Sequence, residues 1–226
     1  MMEGRLHSVE TLGTLDGPGL RTVIFMQGCP LRCEYCHNPD TWHIDGGTIT
    51  SAESLTERIL RYVPYYGKNG GVTASGGEPL VQQEFLIELF EKLKSYNIHT
   101  VIDTSGCLFN ENTSKLLELT DLVLLDIKNY SKNRFTDYCG EVSKQLWIRQ
   151  VIIPDINDSE ENIYQLYDFI KTLNVQKVQL LPYHSMGRGK WKLLGLSYPL
   201  KDVPDMDKDK CKKLQELLGS LLSGQS

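Results

Sequence analysis

The sequence predicts an α/β fold, a partial (β/α)6 TIM-like barrel of parallel strands, and three observations carry that reading. Six short apolar runs alternate along the 226 residues with segments of helical periodicity. The runs are almost unrelieved in apolar character, as parallel strands covered by helices must be. The polar and glycine-rich clusters fall just after the runs, on the side where an α/β barrel gathers its active-site loops. Six units are fewer than the eight that close a full barrel, so the barrel is partial. Its crossovers are expected to be right-handed.

Composition sets the outer bounds. With 40% hydrophobic and 23% charged residues, the chain reads as a soluble globular protein. At this length roughly 70% of the unfolded surface can be buried. The net charge of −5, with no dominant Lys/Arg block, argues against nucleic acid as a partner. No apolar run approaches the ~18 residues of a membrane span, and Met1-Met-Glu-Gly-Arg5 lacks a signal-peptide core. A cytoplasmic location is expected, where clustered cysteines bind metal more often than they form disulfides. No linker or low-complexity segment divides the chain, so a single domain over 1–226 is expected.

The elements follow in order. Residues 13–21 (GTLDGPGLR) are dense in Gly and Pro and read as a tight loop. Residues 20–26 (LRTVIFM) are the first strand, and the cysteine-rich stretch follows at its end. Residues 42–48 read as loop. Thr50 with Glu53 fits a capping box that opens a helix over 53–63. A brief strand at 72–74 ends in Ser75-Gly-Gly-Glu-Pro79, and a helix over 82–96 presents Phe85, Leu86, Leu89, Phe90 and Leu93 on one face. Strands at 98–103 and 121–127 flank a short helix at 111–119. The fifth strand covers 147–153. Asp158 or Ser159 caps a helix to about residue 173, and 177–182 is the sixth strand. Residues 187–204 look irregular. A last helix over 207–222 turns Leu214, Leu217, Leu218, Leu221 and Leu222 inward. The polar connection 129–146 between strands four and five is short for a crossover and has room only for a short helix.

The chemistry centres on Gly28-Cys-Pro-Leu-Arg-Cys-Glu-Tyr-Cys-His-Asn38, which spaces Cys29, Cys33 and Cys36 as CxxxCxxC. Iron–sulfur clusters normally take four thiolates. Three leave one iron without a protein ligand, an open position where chemistry can occur. A closed zinc site wants four ligands, usually in two separated pairs. No second CxxC exists, and His37 adjoins Cys36 too closely to serve the same ion. A zinc-stabilised binding protein is therefore the competing class, excluded by iron, sulfide and a brown preparation. Cys107, Cys139 and Cys211 are scattered and read as ordinary residues.

Other polar clusters sit at the strand ends: Ser75 to Glu78 with Gly76 and Gly77, Asp103 and Thr104, Asp126 with Lys128, and His184. Each has a plainer reading. The glycines fit a tight βα turn, Lys128 fits an ion pair with Asp126, His184 fits a loop histidine, and the 13–21 segment fits a lead-in turn. The sharper readings make Glu78 a partner for a ligand ammonium, Lys128 a partner for a ligand carboxylate, and Asp16 and Arg21 contacts to a substrate. Convergence on one mouth favours the sharper set. No GxxxxGK[ST] is present, so a phosphate-loop nucleotidase is not supported.

CxxxCxxC with Tyr35 before its third cysteine, then Gly-Gly-Glu on a βα barrel, resembles the radical S-adenosylmethionine superfamily. More narrowly, HSVETLGTLDGPGLRTVIFMQGC, CEYCHNPDTW, GGVTASGGEPL, DLVLLDIK, LWIRQVIIP and LLPYHSMGRGKW resemble the family of activating enzymes of pyruvate formate-lyase, from about residue 4 to 192. The resemblance implies that Cys29, Cys33 and Cys36 hold a 4Fe-4S cluster whose fourth iron binds the amino and carboxylate groups of S-adenosylmethionine. It implies that Tyr35, Cys36 and His37 line the adenosyl portion and that Gly76, Gly77 and Glu78 meet the methionine end. Asp126, Ile127, Lys128 and His184 would complete the pocket. Asp103 and Thr104 would share a monovalent cation with Asp126. Asp16, Gly17 and Arg21 would receive the glycyl loop of pyruvate formate-lyase, and flavodoxin or ferredoxin would donate the electron. Relatives carry a full helix where 129–146 is short. Many activators of other glycyl radical enzymes insert cysteine-rich clusters between Asn38 and the Gly-Gly-Glu region. Their absence favours the pyruvate formate-lyase type and leaves a minimal relative, such as an activator of anaerobic ribonucleotide reductase, as the alternative.

Overall fold

A computed structural model describes residues 2–128 and 145–224. Eight strands form one sheet: β1 (Glu3–Gly13), β2 (Arg21–Met26), β3 (Thr48–Ser51), β4 (Gly71–Gly76), β5 (His99–Thr104), β6 (Leu122–Asp126), β7 (Gln145–Ile152) and β8 (Lys177–Pro182). Their order is β3-β1-β2-β4-β5-β6-β7-β8. From β2 to β8 every neighbouring pair is parallel, while β1 runs antiparallel to both β2 and β3. The six parallel strands are those expected from the sequence. The antiparallel edge is a correction: the sequence pattern predicts no strand over 3–13 and places 48–51 in a loop and a helix cap. β1 pairs β3 over Glu3–Leu6 and β2 over Leu6–Gly13, so most of it is paired on one side only and its apolar alternation is weak, and β3 is four residues long.

The α-helices of the described residues are α1 (Ala52–Leu60), α2 (Gln83–Ser95), α3 (Glu111–Glu118), α4 (Glu160–Ile170), α5 (Arg188–Leu193) and α6 (Lys208–Leu222). The α1 cap is Ser51 rather than Thr50: Ser51 Oγ accepts from Ser54 N at 3.2 Å. Thr50 lies in the β3 ladder opposite Gly4, and α1 starts one residue earlier and ends three residues earlier than the expected 53–63. Ser159 caps α4 and Asp207 caps α6 in the same way. On α2 the expected face (Phe85, Leu86, Leu89, Phe90, Leu93) is buried. On α6 Leu214, Leu218 and Leu221 are buried with Cys211, whereas Leu222 is exposed. α5 lies within a stretch expected to be irregular; six residues are too few for periodicity to show. The expectation for 129–146 falls almost wholly outside the described residues. Among those residues no helix is long and apolar enough to cross a membrane.

Strand alternation decides what faces inward. The outer face of the parallel strands (Ile24, Met26, Val72, Ala74, Ile102, Val123, Leu125, Ile148) joins the main core with the helices. On the other face Val101, Leu122 and Leu124 form a separate small cluster with Trp147. Two residues further along the same face come Asp103, Asp126 and Arg149. Register pairs Asp126 with Arg149. A layer of charge therefore stands directly above an apolar plug at the C-terminal ends of the strands.

Candidate active site

The cysteine loop leaves β2 and is pinned by backbone at both ends. Gly28 N donates to Thr41 O at 2.7 Å and Cys29 N to Trp42 O at 3.2 Å, while Cys36 N donates back to Cys33 O at 3.0 Å. From β4, Gly77 N donates to Met26 O at 3.0 Å and Glu78 N to Gly28 O at 2.8 Å. All three cysteines are free and partly buried. Burial, with Glu78 and the other two cysteines nearby, pushes the Cys29 thiol up to about 12, and burial also raises Cys33 and Cys36. Only a strongly positive centre would hold all three as thiolates, and soft thiolates select iron–sulfur clusters or zinc. Among the described residues no group of three or more His, Cys, Asp or Glu side chains could hold a single metal ion. Thiolates that bind different corners of a cluster need not converge so closely.

Lys128 ties this loop to the strand ends. Its ammonium pairs with Asp126 Oδ2 and lies 4.9 Å from the Tyr35 ring centroid. Burial pulls the Lys128 amine down, but Asp126, Tyr35 and Cys33 outweigh it and hold the group charged. Ile127 is buried and donates its N–H to Arg149 O at 2.8 Å. His37 and His184 stack with ring centroids 4.2 Å apart, and His37 Nε2 is 3.1 Å from His184 O. Asp103 accepts from Ser75 Oγ at 2.9 Å, and burial pushes its carboxyl up to about 6 despite Arg149. Arg149 Nη1 stands 3.7 Å from both Asp103 Oδ2 and Asp16 Oδ1, and Nη2 donates to Leu15 O. The 13–21 loop thus folds onto the inner face, with Thr73 Oγ1 donating to Asp16 O at 2.7 Å.

Three buried polar atoms among the described residues have no protein partner: Asp126 Oδ1, Arg149 Nε and His184 Nδ1. Native interiors leave few such atoms, and each calls for an explanation. All three belong to β6, β7 or the residues just past β8. A polar ligand beside the cysteine loop fits them, as it fits the Lys128–Asp126 pair.

Three residues, two expected at the ligand and Arg21 expected at the substrate loop, have internal partners. Glu78 is 1% exposed, and its carboxylate accepts from Leu80 N, Thr104 Oγ1, Ser105 N and Ser105 Oγ. It joins the ends of β4 and β5 and has no face left for an ammonium. Thr104 is spent on Glu78 and on Gly106 N. Arg21 is fully buried rather than presented to a substrate, beside Gly17. It donates to Thr73 Oγ1 at 2.7 Å, Pro18 O at 2.7 Å and Val72 O at 2.9 Å. Arg21→Met is expected to cost about 3 kcal/mol in urea unfolding, because those carbonyls lose their donor. A substrate contact would instead raise KM and leave stability alone. Arg149 was missed as a site residue, although a lone charge inside the apolar WIRQVII run was its signal. Lys190 and Trp191 of α5 also reach the cysteine loop, and nothing local in their sequence announces it.

The family described as "4Fe-4S single cluster domain" matches residues 15–145. The pyruvate formate-lyase-activating enzyme of Clostridium pasteurianum is 48% identical over 238 residues, covering 98% of this chain and 100% of that relative. The one from Listeria monocytogenes is 45% identical over 222 residues, covering 88% and 90%. Among solved structures, Streptococcus suis SuiB bound to S-adenosylmethionine superposes with a TM-score of 0.64 at 19% identity, over 88% of this chain and 46% of that one. A radical SAM methyltransferase from Sphaerobacter thermophilus gives 0.61 at 15%, over 89% and 64%. These two speak for the fold alone, a partial barrel shared across radical S-adenosylmethionine enzymes. At 45–48% identity over nearly the whole length, with the cysteine loop and strand-end charges in one mouth, the chain belongs to the pyruvate formate-lyase-activating enzyme family.

Proposed function

We propose that this protein installs a glycyl radical on a partner of the pyruvate formate-lyase type, using a 4Fe-4S cluster on Cys29, Cys33 and Cys36 together with S-adenosylmethionine. One observation carries the reading most directly. Tyr35 and His37, inside the cysteine loop, touch Lys128 and His184 from distant strands, so the loop and the unpartnered polar atoms share one mouth. When bound, the cluster held by Cys29, Cys33 and Cys36 would supply the one electron needed to cleave a sulfonium C–S bond of S-adenosylmethionine, the chemistry that would let hydrogen be taken from a glycine Cα of the partner.

The chain's own residues bind and orient. Lys128 offers its ammonium to the ligand carboxylate, and Asp126 accepts from the ligand through its free Oδ1. His184 Nδ1 and the His37 and Tyr35 rings flank the adenosyl portion. Gly76 and Gly77 shape the turn at the methionine end. Asp103 and Asp126 are the carboxylates available to a monovalent cation. Thr104 offers only what remains of a hydroxyl already engaged by Glu78. Asp16 and Gly17 meet the partner's glycyl loop, while Arg21 and Arg149 hold their loop from beneath. A one-electron donor such as flavodoxin or ferredoxin reduces the cluster. Holding the reactants in one mouth replaces an encounter by fixed geometry, and the cofactors carry the hard chemistry.

The test is anaerobic reconstitution with iron and sulfide, followed by incubation with S-adenosylmethionine, a reductant and pyruvate formate-lyase. A glycyl radical doublet by EPR is expected, with 5′-deoxyadenosine formed in step. An intact cluster that forms 5′-deoxyadenosine but no doublet would overturn the choice of partner. A colourless zinc protein would overturn the reading altogether.

A further inference from the structure

β8 and the β3–β1 edge stand at opposite ends of the sheet order. Yet the segment after β8 reaches across and grips the cysteine loop. Trp191, buried on α5, donates its indole Nε1–H to Cys36 O at 2.8 Å. The neighbouring Lys190 ammonium donates to Asn38 Oδ1 at 2.8 Å and to Asp40 Oδ2 at 2.9 Å. Asp40 Oδ2 also lies 2.9 Å from His7 Nε2 on β1, so this chain of contacts closes onto the far edge of the sheet. Gly187 presses close enough that a Cβ there would stand 2.9 Å from Cys36 O and 3.0 Å from His37 Cα.

The grip has a second layer. Trp42 and Trp191 meet edge-to-face with centroids 5.0 Å apart, and Trp191 meets Tyr198 at 5.4 Å. Trp42 O accepts from Cys29 N, and the Arg32 guanidinium lies 4.8 Å from the Trp42 centroid. The Trp42 carbonyl and the Trp191 indole therefore hold the backbone of the first and third cysteines, and the two rings pack on each other. Between 29 and 38 the loop has no helix or strand of its own to fix it. Its geometry is set by these outside contacts.

We propose that Trp191 and Lys190 are positioning residues for the cluster: they fix the Cys36 carbonyl and residues 38–40. This rests on the reading that Cys36 is a cluster ligand. Outer partners of metal ligands tune both retention and potential. The indole N–H turns the positive end of its dipole toward the loop that carries Cys36. Removing it should make the added electron less favourable and move the midpoint potential more negative.

The experiment compares reconstituted wild type, Trp191→Phe and Lys190→Met. Trp191→Phe keeps an aromatic ring but no donor, and Lys190 is half-exposed, so neither change threatens folding. Iron release to a chelator is expected to be on the order of tenfold faster in each variant. An EPR-monitored titration of Trp191→Phe is expected to give a more negative potential. Urea unfolding of the cluster-free proteins is expected to stay within about 1.5 kcal/mol of wild type. Wild-type release rates and potential in both variants would overturn the proposal. So would a larger stability loss in the cluster-free proteins, which would make the contacts merely structural. Failure of wild type itself to take up iron and sulfide would overturn the cluster reading and this proposal together.

Discussion

Cys33→Ala is expected to leave the reconstituted protein without a stable 4Fe-4S cluster and to lower glycyl radical formation by more than ~100-fold. Losing an outer partner of a metal ligand already costs 10–100-fold, and here the ligand itself is gone. Three thiolates are the smallest set that holds a cubane while leaving one iron open, so two cannot be covered by a neighbour. The polypeptide should hardly notice. Cys33 sits in a loop outside the sheet, is partly buried, and its carbonyl accepts the Cys36 N–H as before. Urea unfolding of the cluster-free variant should stay within about 1 kcal/mol of wild type, as for changes away from core and caps. Cys211→Ala is the matched control with the opposite profile. Its thiol is buried on α6 against the Leu180 carbonyl, so the loss falls on stability and leaves iron content intact. Iron and sulfide analysis with EPR separates the two. A Cys33→Ala protein that kept a full cluster and activity would remove the cysteine loop from the centre of the chemistry.

The division between what could and could not be read in the sequence follows the range of each interaction. β6 was legible because DLVLLDI alternates faces locally: Leu122, Leu124 and Asp126 fall on one side with no tertiary information. α2 was legible for the same reason at helical period. The cysteine spacing was legible because ligands this close in sequence constrain one another. The internal partners of Arg21 and Glu78 are not legible in the sequence because topology sets them. Thr73 reaches Arg21 only because β4 lies beside β2, and Ser105 reaches Glu78 only because β5 lies beside β4. A charged residue near a glycine-rich turn reads alike whether it faces a ligand or four internal donors. The α5 contacts to Cys36, Asn38 and Asp40 span about 150 positions and leave no local trace. β1 was missed for a physical reason as well: its outer residues lie at the sheet edge, where alternation of burial is weak.

Gly77→Ala is expected to cost about 3 kcal/mol or more of stability and, through the same contact, to impair cluster retention. Two readings of this glycine compete. In one, it leaves room for the methionine end of the ligand. In the other, it leaves room for the protein's own backbone. Gly77 has no left-handed φ, so alanine is admissible on conformation alone, and only space decides. A Cβ there would lie 2.3 Å from Gly28 O, 2.9 Å from Gly28 C and 3.3 Å from Met26 O. These are main-chain atoms, so no rotamer change relieves the clash. They are also the atoms that receive the Gly77 and Glu78 N–H groups at 3.0 and 2.8 Å. The end of β4 is thus seated directly on the residue before Cys29. Pushing it away breaks two hydrogen bonds, unseats the buried Glu78 carboxylate and shifts the first cluster ligand. Gly76 is constrained independently, by a φ of +107° and by Met26 N at 2.3 Å from its would-be Cβ. The readout is urea unfolding of the cluster-free Gly77→Ala protein beside its iron content after reconstitution. A wild-type midpoint with weakened S-adenosylmethionine binding would return Gly77 to the ligand. A lowered midpoint without any ligand present identifies it as the joint between the Gly-Gly-Glu turn and the cysteine loop.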